Sequence, residues 1–116
     1  MLSAVVIYED GRIKLIDPDL FTFIRVSKED IVDVIWIEDI DKAGELTPRL
    51  RLFGISTDNF HDGWFSLRGG KKAYLMVCGK QAIAILTKEG YYIILSPENF
   101  EEFAAAFSKY VHLIKS

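Results

Sequence analysis

A single cysteine, Cys78, and only two histidines, His61 and His112, stand among the 116 residues. One thiol closes no internal disulfide, so the fold has to hold without that staple. A metal site wants several His, Cys or carboxylate ligands, and these three soft ligands include no two at ligand spacing. The sequence carries no catalytic signature, and no cofactor is expected. Long apolar runs are missing as well. The apolar runs are short, such as residues 82–86 and 91–95, far below the roughly 20 residues that a bilayer span needs. The N-terminus has no leading positive charge and runs straight into Glu9 and Asp10, which is not the pattern of a signal peptide. These absences lead to the expectation of a cytoplasmic protein. A positive surplus is also lacking: 14 Lys and Arg face 17 Asp and Glu, a net charge of −3. No aromatic pattern interleaves the basic residues, so nucleic acid is not an expected partner.

Half of the residues are hydrophobic and 27% are charged, a balance that excludes a disordered or low-complexity chain. A chain of this length buries roughly two-thirds of the surface its unfolded form exposes, and one domain over residues 1–116 is expected. Charge is unevenly spread. Residues 1–48 hold 11 acids and 5 bases, residues 49–95 hold 3 acids and 7 bases, and residues 96–116 hold 3 acids and 2 bases. Such a dipolar surface either is plain solvation, steers an anionic partner, or pairs head to tail with another copy.

Nearly every stretch reads as a strand bounded by turn residues. Residues 4–8 and 12–16 flank Glu9-Asp10-Gly11, a hairpin signal, and Asp17-Pro18-Asp19 precedes another strand at residues 20–26. Ser27 with Asp30 resembles one helical turn. Residues 32–38, rich in β-branched types around Trp36, follow as a strand. Residues 38–48 hold Asp39, Asp41, Lys42, Gly44 and Glu45 and read as an exposed, mobile acidic loop. A strand at 49–55 and a polar loop at 56–62 come next. Residues 63–67 and 71–78 then pair around Arg68-Gly69-Gly70, and residues 81–87 and 91–95 around Glu89-Gly90. The last element differs. Ser96 suits an N-cap and Pro97 a first helical turn. Phe100, Phe103, Phe107, Tyr110, Val111 and Ile114 recur at spacings of three and four, which predicts an amphipathic helix from residue 96 to about 114. The fold class is therefore mainly β with one C-terminal helix: curled antiparallel sheets or a partly open barrel, which the helix plugs.

Gly54-Ile55, Gly63-Trp64-Phe65, the run Tyr91-Tyr92-Ile93-Ile94-Leu95-Ser96-Pro97-Glu98 and Phe103 resemble a bacterial pleckstrin-homology-like domain over roughly residues 49–107. Members of that family typically place Pro-Gly before the aromatic that leads into the Gly-aromatic-aromatic strand. Here Asp58-Asn59 precedes Phe60, and Asn tolerates the left-handed turn conformation nearly as glycine does. The resemblance implies a pleckstrin-homology-like fold and a binding role, with no catalytic residues attached to it.

Candidate chemistry is thin. Ser56, His61 and Asp62 are close in sequence, but no Gly-x-Ser-x-Gly motif is present, and adjacent His61 and Asp62 diverge on a strand. Cys78 ends an apolar strand and reads as a small hydrophobe, with Lys80 the only nearby cation that would activate it. Arg68, Gly69, Gly70, Lys71 and Lys72 form the one candidate anion-binding turn, where main-chain N–H groups and cations would converge on a phosphate or a lipid head group. A solvated hairpin explains the same residues. The aromatic residues Trp36, Phe60, Trp64 and Tyr74 exceed what a small core easily hides and are the candidate interface. The resulting expectation is a non-enzymatic binding or protein-interaction module, associating as a homodimer or higher cyclic oligomer or recognising an unidentified protein. A membrane-lipid adaptor, a small-ligand carrier and an enzyme of unknown type remain the alternatives.

Overall fold

The computed structural model describes residues 4–7, 13–17, 22–26, 28–57, 60–96 and 100–115, and it arranges them as nine strands and one long helix. Strands β1 (Ala4–Ile7), β2 (Ile13–Asp17) and β3 (Thr22–Val26) form an antiparallel meander in which Leu15 on the middle strand stands opposite Val5 and Ile24. The expected turns around Asp10-Gly11 and Pro18 lie outside the described residues.

After one 3-10 turn at Lys28–Asp30, where a single helical turn is expected, the chain builds a six-stranded sheet. Its strands are β4 (Ile31–Ile37), β5 (Pro48–Thr57), β6 (Phe60–Leu67), β7 (Lys72–Val77), β8 (Ala82–Thr87) and β9 (Tyr92–Ser96). The order across the sheet is β4-β8-β9-β7-β6-β5. All neighbours are antiparallel except β7 and β9, which run parallel with Leu75 opposite Ile94. That pairing arises because β8 steps past the site beside β7 and the β8–β9 hairpin folds back into it. The crossing is held where the Cys78 N–H donates to the Ser96 carbonyl at 2.8 Å.

The three central strands are apolar along nearly their whole length, as strands covered on both faces must be. Alternate side chains feed two cores. Tyr74, Met76, Ile83, Ile85, Ile93 and Leu95 face helix α1 (Phe100–Lys115) and pack with its Phe103 and Phe107. Ala73, Leu75, Val77, Ala82, Ala84 and Ile94 face the other way and pack with Ile37, Ile40, Phe65 and Leu67.

Two local expectations change. Residues 38–48 are not simply an exposed loop: two 3-10 turns, Ile40–Lys42 and Gly44–Leu46, press Ile40 (1% exposed) and Leu46 onto the second core. Asp39 caps the first turn through the Asp41 N–H at 2.9 Å, and the Thr47 hydroxyl accepts from the Ala43 N–H at 2.9 Å. The acidic side chains stay outside, so the charge masked the two apolar anchors between them. The polar stretch 56–62 is mostly strand, because Ser56 pairs with His61 and Thr57 with Phe60 at the end of the β5–β6 hairpin. Ser96 is the buried last residue of β9; the helix is described from Phe100, and the expected helix start at Pro97 lies outside the described residues.

Candidate functional site

The basic turn between β6 and β7 does not present the main-chain donors that an anion site would use. The Arg68 N–H donates to the Thr47 carbonyl at 3.0 Å, the Gly69 N–H to the Glu45 carbonyl at 2.9 Å and the Gly70 N–H to the Leu67 carbonyl at 2.9 Å. The turn is thus tied to the 3-10 segment before β5. Glu45 also stands so near that a Cβ added to Gly69 would lie 2.9 Å from the Glu45 Cβ. Arg68, Lys71 and Lys72 keep exposed side chains, so what the turn offers is three solvated cations beside one carboxylate. Sequence reasoning saw the glycines and cations but had no signal for the long-range carbonyls that use the amides.

The four aromatic residues of the candidate interface are not brought together as one patch. Tyr74 is wholly buried in the core under α1, which removes it from any surface. Trp64 is half-buried and meets Tyr74 and Tyr91 edge-on, with centroids 5.4 and 5.5 Å apart. Phe60 heads β6, opposite Thr57. Trp36 is exposed, 48% accessible on β4. The residues missed by sequence reasoning lie on β5: Leu50, Leu52, Phe53 and Ile55 are all exposed. They had read as an ordinary strand because nothing local tells an edge strand from a central one.

Strand β5 ends the sheet on one side and β4 on the other, each with one sheet neighbour among the described residues. Register shifts between Pro48 and Leu50 and between Arg51 and Phe53 bend the first half of β5, while Phe53–Thr57 pairs regularly with β6. Beside this strand a surface hollow of about 630 Å³ is lined by Leu52, Phe53, Trp64, Tyr91 and Lys72. Burial raises the Tyr91 hydroxyl above its ordinary value, with Glu89 and Asp30 acting the same way, so Tyr91 lines the hollow as a neutral phenol. A second hollow, of about 400 Å³, lies along β4 between Trp36 and the apolar residues of the 3-10 segment.

The serine–histidine pair is real but is not a triad. Ser56 Oγ and His61 Nδ1 share a hydrogen bond of 2.8 Å across the β5–β6 hairpin. The His61 ring rests edge-on against Phe65, with centroids 5.6 Å apart. Asp62, the next residue along the strand, takes the opposite face by strand alternation and is buried there, opposite Met76. Burial lowers the His61 imidazole below its ordinary value; the Asp41 carboxylate opposes that and the Lys80 ammonium adds to it. Lys80 itself is hydrogen-bonded to Asp41, which holds that carboxyl below its usual range against a small desolvation cost. His61 is accordingly neutral near neutral pH. Among the described residues no cluster of three His, Cys, Asp or Glu side chains is arranged to hold a metal ion, and no helix is long and apolar enough to cross a membrane.

The six-stranded open sheet with a helix laid on one face and the Gly54/Gly63 strand pair agree with a family match. Residues 16–111, more than half of the chain, match the family model described as bacterial PH domain. The chain belongs to that family, whose fold is the pleckstrin-homology-like one expected above. No curated protein and no solved structure matches the chain significantly. The family points to a binding or adaptor module and carries no specific partner with it.

Proposed function

We propose that the chain is a non-catalytic protein-interaction module that engages its partner through the edges of its six-stranded sheet. One observation carries this reading. The large hydrophobic side chains that stand exposed among the described residues are Val32, Trp36, Leu50, Leu52, Phe53 and Ile55, and every one lies on β4 or β5. Contiguous exposed apolar surface marks interaction sites, and an edge strand adds a row of main-chain donors and acceptors to it. Membership of a family of binding modules supports the same reading. A cytoplasmic setting belongs to the proposal, since a chain with one half-buried thiol is suited to a reducing compartment.

The test compares the full chain with two variants as bait, read by native mass spectrometry. Phe53→Asp is expected to lose a partner that the unaltered chain retains, by tenfold or more, with its thermal unfolding unchanged. The triple variant Arg68→Ala, Lys71→Ala, Lys72→Ala is expected to keep it. Loss in the triple variant alone, together with salt-sensitive sedimentation on anionic vesicles, would replace this reading with the lipid-adaptor one. A small molecule released from the hollow beside β5 would replace it with the carrier.

A further inference from the structure

We infer that the partner of this edge surface is a second copy of the same chain, the β4 edge of one copy set against the β5 edge of the next. The inference rests on the edge-binding reading above and adds to it who binds and in which direction. The two edges carry opposite charge: Glu29, Asp30, Asp33 and Glu38 are exposed on and around β4, and Arg49 and Arg51 on β5. Opposite edges of opposite charge attract, whereas two β5 edges would bring four arginines onto one seam.

The direction also fits. One parallel pairing among antiparallel ones makes β4 and β5 run the same way within the sheet. A neighbour in the same orientation therefore lays its β4 parallel to β5. Along β4 Asp33 comes before Trp36; along β5 Arg49 and Arg51 come before Phe53 and Ile55. With Asp33 set beside Arg51, and the extra residue of the bulge between Arg51 and Phe53 passed over, Trp36 falls opposite Ile55 and next to Phe53.

Faces agree as well. Cross-strand partners share a face, and the row Trp36, Ile83, Leu95, Met76, Asp62, Ile55 runs across the whole sheet. Trp36 of a neighbour thus arrives on the face of Phe53 and Ile55, where the hollow lined by Leu52, Phe53, Trp64 and Tyr91 receives it. The bulged half of β5 contributes charge and side-chain contact, and regular Phe53–Thr57 contributes main-chain pairing. Contact between unlike edges is heterologous, so copies add head to tail and either close a ring or extend a chain.

The test is light scattering coupled to size exclusion on the full chain and three variants over a hundredfold range of concentration. The unaltered chain is expected to rise above 13.2 kDa, the mass of one copy, as concentration increases. Asp33→Arg and Arg51→Asp should each weaken association at least tenfold, and the double variant carrying both should recover it. Five strand spacings, about 24 Å, separate the two edges within one copy, so recovery reports a contact between copies. Circular dichroism and thermal unfolding confirm that the variants are folded. A mass of 13.2 kDa at every concentration overturns the inference, as does an Asp33→Arg variant that associates like the parent, or a double variant that does not recover. A monomer that still binds another protein through Phe53 overturns the self-association and leaves the edge-binding reading standing.

Discussion

Gly54 and Gly63 face each other across β5 and β6 so closely that a Cβ on either would overlap a carbonyl oxygen of the opposite strand, that of Asp62 or Phe53, and lie 2.8 Å from the other glycine's Cα. Both have positive φ, 125° and 134°, where an L side chain is strained. Gly54→Ala or Gly63→Ala is therefore expected to cost about 2 kcal/mol or more. Gly79→Ala, which has open space, should change stability by no more than about 0.5 kcal/mol. Urea unfolding of the three variants checks the contrast.

Docking of α1 rests on Phe103 and Phe107, 8% and 0% exposed against the sheet. Phe107→Ala should cost about 3 to 5 kcal/mol, as a truncated buried aromatic does. That is a large part of the total stability of a small domain. A melting temperature equal to the parent's would mean the helix is not docked there.

The segment between β4 and β5 should behave as structure. Ile40 is buried and its N–H donates to the Lys80 carbonyl at 2.8 Å. Ile40→Ala is expected to cost about 2 to 5 kcal/mol, and the Ile40 amide to exchange far more slowly with solvent than an exposed loop amide. Fast exchange at Ile40 would restore the mobile-loop picture.

His61 makes stability fall on mild acidification. Its folded imidazole holds a proton less tightly than the unfolded one, chiefly because it is partly buried. The unfolded chain therefore binds the extra proton first as pH drops below the ordinary value of 6.5, and the folded state loses ground until its own lower value is passed. Asp41 acts in a separate window: its carboxyl is lowered by Lys80, so its contribution is present above 3.8 and is lost as pH falls further. Unfolding of the parent and of His61→Asn between pH 7 and 5 should show the slope in the parent and a flatter line in the variant.

Inorganic phosphate should leave the amide resonances of Arg68, Gly69 and Gly70 in place, because those N–H groups already donate to carbonyls. Shifts of all three at millimolar phosphate would revive the anion site at this turn.

Local periodicity reached far into this fold. The strands around the Gly-Gly and Glu-Gly turns and the Phe100, Phe103, Phe107 stripe are visible because a period of two or of 3.6 residues is written in neighbouring side chains. Membership of the family was legible in the glycine and aromatic positions of β6, whose spacing reflects the close approach at Gly63. The 38–48 segment was half legible: its charges are local, but what Ile40 and Leu46 touch is not.

What the sequence by itself determined is the inventory of elements and the apolar face of each, since these depend on residues a few positions apart. Only the tertiary structure decided where each element sits. It put β9 between β7 and β8, a pairing with no signature in any one strand. It made Tyr74 core and Trp36 surface, although both are aromatic residues in β-branched or apolar runs. It used the amides of the basic turn on Thr47 and Glu45, and it left β4 and β5 as opposite edges. Burial and hydrogen-bond partnership are properties of neighbours across the sheet, and those neighbours are far apart along the chain.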